Sequence, residues 1–162
     1  MSVIGSNILA GAAGQGGDYV IDNSLRFRSS ASAYLSRTPA SAGTRTKFTF
    51  SAWVKRGQLG ARQNITAVRQ GTSDYFILEF QANDTLNLIS TTSGAVNTNL
   101  ITSQVFRDPS AWYHVVFTYD STPATPNASS VYLSINGTKV TSLSTATYPS
   151  QNTNIYYNVS SV

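Results

Sequence analysis

The chain has 162 residues, the size of one ordinary domain, and only 11% of them are charged against about 25% in an average soluble domain. The absence of Cys excludes a disulfide scaffold and thiol catalysis, and a net charge of +4 is too sparse to predict nucleic-acid binding. No apolar run in the sequence approaches the roughly 20 residues of a membrane helix, so we expect no membrane insertion.

The first 17 residues, MSVIGSNILAGAAGQGG, are rich in Gly and other small residues. This composition predicts a flexible, extended arm rather than a folded element. Its larger apolar side chains have no amphipathic element to join, so we expect them to attach the protein to another chain. These attachment candidates are Val3, Ile4, Ile8 and Leu9.

From Tyr19 onward, short and mostly alternating apolar runs are separated by turn residues, a spacing typical of an all-β sandwich. In the first of these runs the alternation places Leu25 and Phe27 inward. The predicted strands are 24–28, 34–35, 48–55, 65–68, 75–81, 85–89, 111–119, 131–136, 139–141 and 154–159.

Two of these runs, 48–55 and 112–119, are apolar on both faces, which indicates strands in the middle of a sheet. We therefore expect three of their side chains, Trp53, Trp112 and His114, to be part of the structural core. Further on, Asn136-Gly137 lies between two strand-like runs and predicts a tight β-hairpin, because both turn residues accept positive φ.

Three segments resemble a known family. Phe48-Thr-Phe-Ser-Ala-Trp-Val-Lys55, Trp112-Tyr-His-Val-Val-Phe-Thr-Tyr-Asp120 and Val131-Tyr-Leu-Ser-Ile-Asn-Gly137 resemble, in this order, the signature strands of laminin-G-like, concanavalin A-like jelly rolls. The resemblance implies a two-sheet antiparallel jelly-roll sandwich over residues 18–162, after an arm over residues 1–17. The opening run from Ser24 is similar to phage-encoded members found in tail-fibre and other virion proteins.

The end of the chain departs from the family pattern, in which a final strand pairs near the first one. The sequence stops at Val162 without such a segment, so we expect a longer polypeptide, a strand supplied by another chain, or a naturally minimal sandwich. With no closing strand to cover them, Tyr148, Tyr156 and Tyr157 are predicted to be exposed, as contacts to a protein partner or a glycan.

Catalysis is not expected. His114 is the only histidine, and it occupies a structural position in the family pattern. No second acid has an obvious reason to face Glu79, as glycoside hydrolysis would require. Asp74 and Asp84 are weak calcium candidates by family analogy, but without an acid cluster we expect no cofactor.

These features predict a non-enzymatic structural protein of a phage virion. The preferred role is the N-terminal, virion-attaching part of a tail fibre that contributes to host attachment, as a homo-oligomer with a trimer favoured. Its expected partners are other virion proteins, through the arm, and a glycan of the host surface. Two alternatives are a capsid decoration protein and a free carbohydrate-binding module.

Overall fold

The computed structural model describes residues 23–160. The chain divides into two units between Ser36 and Arg37, and each unit is described by itself. The attachment candidates Val3, Ile4, Ile8 and Leu9 lie outside the described residues.

The described part of the first unit contains one regular element, a 3₁₀-helix over Ser29–Ala31. The predicted strands 24–28 and 34–35 are not formed. Leu25 and Phe27, predicted to point inward, are 70% and 53% exposed. That prediction was wrong because alternation buries one set of side chains only where the segment is part of a sheet with a core beneath it.

The second unit contains nine strands in two antiparallel sheets, which confirms the predicted sandwich. One sheet has four strands in the order β1-β6-β7-β8, and the other has five in the order β2-β3-β4-β5-β9. The strands are β1 (Lys47–Lys55), β2 (Gln63–Gln70), β3 (Asp74–Phe80), β4 (Thr85–Thr92), β5 (Ala95–Val105), β6 (Trp112–Asp120), β7 (Val131–Ile135), β8 (Thr138–Lys139) and β9 (Leu143–Thr147).

The core lies between the sheets and receives side chains from both. Strict alternation along β6 sends Val115, Phe117 and Tyr119 inward, where all three are fully buried. From the five-stranded sheet, Phe76 packs on Phe117 with ring centroids 5.8 Å apart. The Asn-Gly hairpin is also confirmed, since Asn136 and Gly137 join β7 to β8 with φ angles of 50° and 79°.

Two strands, β5 and β9, were not predicted, because Asn, Thr and Ser interrupt their apolar pattern. The central position predicted for residues 48–55 was wrong as well. Among the described residues β1 lies at the edge of its sheet, whereas β6 is central as predicted.

The segment 148–160 contains no strand, although one was predicted over 154–159. It nevertheless closes one end of the sandwich through backbone bonds to the residues before β1. The amide of Gly43 donates to the Asn158 carbonyl (2.9 Å), and Ile155 N–H donates to the Arg45 carbonyl (3.4 Å). The described residues include no helix long and apolar enough to cross a bilayer.

Candidate aromatic binding face

The outer face of the four-stranded sheet exposes three rings that we call the aromatic face: Trp53, Trp112 and His114. Trp53 in β1 lies directly opposite His114 in β6. Their rings stack with centroids 4.9 Å apart and an interplanar angle of 21°. Trp112 precedes His114 on the same side of β6, and Trp53 and Trp112 remain 41% and 45% exposed.

The prediction that these three residues are part of the structural core was wrong. Side chains alternate along a strand, so a ring cannot share a face with its immediate neighbour. In β1 and β6 the inward positions are occupied by Phe48, Phe50, Phe117 and Tyr119, and the two tryptophans therefore point away from the core. Two-sided apolarity in these strands thus marks an exposed aromatic surface.

Sequence reasoning missed a polar partner of His114. The Ser51 hydroxyl lies 2.9 Å from His114 Nε2, because Ser51 and Trp53 share the outer face of β1. The contact between Ser51 and His114 depends on the register of β1 against β6, and the sequence alone does not give that register. The nearest acid on the outer face of β6 is Asp120, six residues along the strand and about 20 Å away. A third residue that would orient His114 as a general base is therefore missing from the described part of the chain.

A shallow depression of about 240 Å³ lies farther along the same outer face. At its rim the Lys47 ammonium pairs with the Asp120 carboxylate (2.8 Å), and this bond lowers the pKa of Asp120 to about 2. Tyr132 forms one wall, with Lys139 Nζ 4.4 Å from its ring centroid. The remaining lining is Phe48, Thr49, Thr118, Tyr119, Ser129 and Ser130.

The calcium candidates do not come together. Asp74 begins β3, and Asp84 lies in the turn beyond its other end. Asp84 binds Arg56 Nη1 (2.7 Å) and Arg107 Nε (3.0 Å), and these guanidinium groups lower its pKa to about 2. A carboxylate neutralised by two cations is a poor cation ligand. Within residues 23–160 there is no group of three or more His and acidic residues that could hold a metal.

The other described carboxylates are also engaged. Asp74 accepts a hydrogen bond from the Ser93 amide. Asp108 accepts hydrogen bonds from the Ser110 hydroxyl and from the Ser110 amide (2.8 Å), and these bonds lower the pKa of Asp108. Glu79 is 2% exposed and binds Arg62 Nη2 at 2.6 Å. No two carboxylates in residues 23–160 therefore stand free across a cleft, as a glycosidase pair does.

The outer face of the five-stranded sheet differs from the aromatic face because outward side chains of its central strand, β4, are buried. Asn87 and Thr91 point away from the core and yet are only 3% and 2% exposed. The Asn87 Oδ1 atom has no hydrogen-bond partner among the described residues. Tyr75 on this face is only partly exposed, whereas both tryptophans of the aromatic face are exposed.

The three late tyrosines, predicted to be exposed, are instead partly buried against the core. Tyr157 stacks on Phe48 with centroids 4.8 Å apart, and burial raises its pKa. Tyr156 lies beneath the Arg45 guanidinium, 5.0 Å from the ring centroid, and Tyr148 packs on the edge of the same core. They were misassigned because the segment that carries them closes the sandwich itself.

The two-sheet architecture agrees with a family comparison. A family model described as the Concanavalin A-like lectin/glucanases superfamily (Laminin_G_3) matches residues 28–159. Searches of curated proteins and of solved structures gave no match. The matched region contains all nine strands, and the chain belongs to the concanavalin A-like lectin/glucanase superfamily.

Proposed function

We propose that the chain is a non-enzymatic domain that binds a glycan through the aromatic face. The observation that carries this proposal is the exposure of Trp53 and Trp112 beside the stacked His114 ring. Exposed indole rings are costly to hydrate, so a cluster of them marks a binding surface. An indole offers a flat apolar surface to the C–H face of a pyranose, while its N–H remains free to bind a hydroxyl.

A non-catalytic role is supported by the partners of the polar groups. The Ser51–His114 pair is exposed and has no acidic third member among the described residues. Glu79 and Asp84, which could otherwise serve as acids, are bound to arginines. A hydrolase would need at least one of these groups to be free to transfer a proton at neutral pH.

Glycan-array binding tests this proposal. We expect retention of at least one glycan by the native chain and its loss in Trp53→Ala. A matched control is Tyr75→Ala, because Tyr75 is also a partly buried aromatic residue on an outer sheet face and has Arg69 5.0 Å from its ring. Equal binding by Trp53→Ala and the native chain would contradict the proposal.

We place this domain in a phage tail fibre, as a homotrimer that contributes to host attachment. The support is the similarity of the run from Ser24 to phage-encoded members, the low charge, and the small-residue arm that would join it to other virion proteins. Immunogold labelling of phage particles and sedimentation equilibrium test this placement. Label confined to the capsid shell would favour the decoration role instead.

A further inference from the structure

The outer face of the four-stranded sheet has two separate features that could each bind a sugar unit. The first is the aromatic face at the start of β6. The second is the depression near the end of β6, whose lining includes Lys47, Asp120 and Tyr132. Because both features lie on the outer side of β6, a single straight ligand can contact both.

The separation between the two features follows from the strand itself. Trp112 belongs to the first and Thr118 to the second, six residues apart in β6, which corresponds to about 20 Å. The surface between them is formed by short side chains, Ser51, Val116 and Ser134, which are neighbours in the β1–β6 and β6–β7 registers. The path between the two ends is therefore lined by short side chains in β1, β6 and β7, with Lys139 of β8 opposite Ser134 at its edge.

The far end of this path offers both hydrogen-bond donors and acceptors. Lys47 and Asp120 form an ion pair there, and the Lys139 ammonium lies over the Tyr132 ring, 4.4 Å from its centroid. Charged groups of this kind form strong hydrogen bonds with hydroxyl groups.

We infer that the two features are subsites of one track, and that its ligand is a straight glycan chain of several sugar units rather than a single terminal sugar. This inference rests on the proposed function. Equatorially linked β-1,4 chains are extended and present flat faces to a sheet, whereas α-1,4 chains curl away from it. A straight track of about 20 Å therefore selects the extended chain.

The test is a calorimetric titration with β-1,4-linked glucose oligomers of one to six units, and with α-1,4-linked glucose oligomers of the same lengths. We expect affinity for the β-1,4 series to rise about tenfold or more between the disaccharide and the hexasaccharide, because the second subsite is engaged from a tethered position. The α-1,4 series should show no such rise. The two series differ only in the linkage, so the comparison isolates chain shape.

Variants separate the two ends of the track. Tyr132→Ala should abolish the gain with length and leave disaccharide affinity unchanged, whereas Trp53→Ala should weaken binding at every length. Tyr75→Ala, on the other sheet, is the matched control for Tyr132→Ala, since each ring has a cation over it. Lys47→Gln provides a second variant of the far end, because the Lys47 side chain is 67% exposed and its loss should not affect folding.

The outcomes distinguish this inference from the proposed function. A length-independent affinity, an equal response to both series, or failure of all the β-1,4 oligomers while the array retains other glycans would overturn the inference alone. If the array retains no glycan at all, the proposed function fails and the inference fails with it. An unchanged length dependence in both Tyr132→Ala and Lys47→Gln would also overturn the second subsite.

Discussion

Side chains in this domain either pack in the core or remain exposed at the surface. Because side chains alternate between the two faces of a strand, the position of a residue in its strand decides which of the two applies. Phe117 and Trp112 belong to the same strand, yet Phe117 is fully buried and Trp112 is 45% exposed. The difference is one of register, since they stand on opposite faces of β6. Large aromatic residues of one strand therefore contribute to stability or to binding according to the face on which they lie.

This division predicts the effects of two alanine substitutions. Trp53→Ala should lower the free energy of unfolding by less than about 1 kcal/mol, as exposed substitutions do. Phe117→Ala should lower it by about 3 to 5 kcal/mol, because it leaves a cavity between the sheets. Urea titration followed by circular dichroism measures both. A loss in Trp53→Ala as large as that in Phe117→Ala would place Trp53 in the core.

Asp84 makes the fold sensitive to acid. Arg56 and Arg107 hold its pKa at about 2, below the usual value of 3.8 for an aspartate. A carboxyl group with a lowered pKa stabilises the folded state fully above its unfolded pKa, and that contribution is lost as the pH falls toward the folded pKa. Thermal melts should therefore show Asp84→Asn destabilised at pH 6, with the difference from the native chain shrinking between about pH 4 and pH 2. A difference that is constant over this range would contradict the role of the charge.

At the scale of elements, the segment 148–160 closes one end of the sandwich without forming a strand. Its backbone bonds to residues 43–45 are few, so side-chain packing provides most of its anchoring. Tyr157 contributes most visibly, since its ring contacts Phe48 and lies 4.9 Å from Phe76, in the opposite sheet. The segment thus joins the two sheets at one end of the core.

Removing that ring should loosen the end of the sandwich. Tyr157→Ala is expected to lower the free energy of unfolding by about 2 to 4 kcal/mol, because a packed aromatic side chain is lost. Tyr156→Ala, one residue away and beneath Arg45, should cost about 1 kcal/mol, the scale of a partly exposed cation–π contact. Hydrogen exchange of the Gly43 amide, which donates to Asn158, should accelerate more in Tyr157→Ala. Equal costs for the two variants would mean that Tyr157 is not the anchor.

The strands that could be read from sequence were those with a strong apolar period or a turn signature. The hairpin at Asn136-Gly137 and the strands around Phe76 and Phe117 are of this kind. Strand β5 was missed because its inward positions include Thr98 and Thr102, which look like surface residues. The aromatic face was missed for another reason. Its side chains come together only when β1 pairs with β6, and no local sequence pattern gives the register of these two strands.

At the scale of the whole molecule, both tryptophans lie in the four-stranded sheet, while the core is shared by both sheets. Tryptophan emission therefore reports on one sheet, and far-UV circular dichroism reports on both. Since the same buried side chains hold the two sheets together, neither sheet should survive the loss of the other. We expect the urea transitions followed by emission and by circular dichroism to coincide, as in two-state unfolding.

The pairing pattern also predicts slow folding. β1 pairs with β6 along its whole length, so Lys47 faces Asp120 across a long intervening chain, and the four-stranded sheet cannot form until that loop closes. Non-local pairing of this kind places refolding on the timescale of milliseconds to seconds. Stopped-flow refolding followed by tryptophan emission measures it. The isolated Val131–Lys139 hairpin peptide, which contains Tyr132 but no Trp, is a local control, and a temperature jump followed by its tyrosine emission should show equilibration within about 10 μs. A tryptophan emission change in the full chain that is complete within the mixing dead time, or an emission midpoint at lower urea than the circular dichroism midpoint, would mean that the sheets fold as separate units.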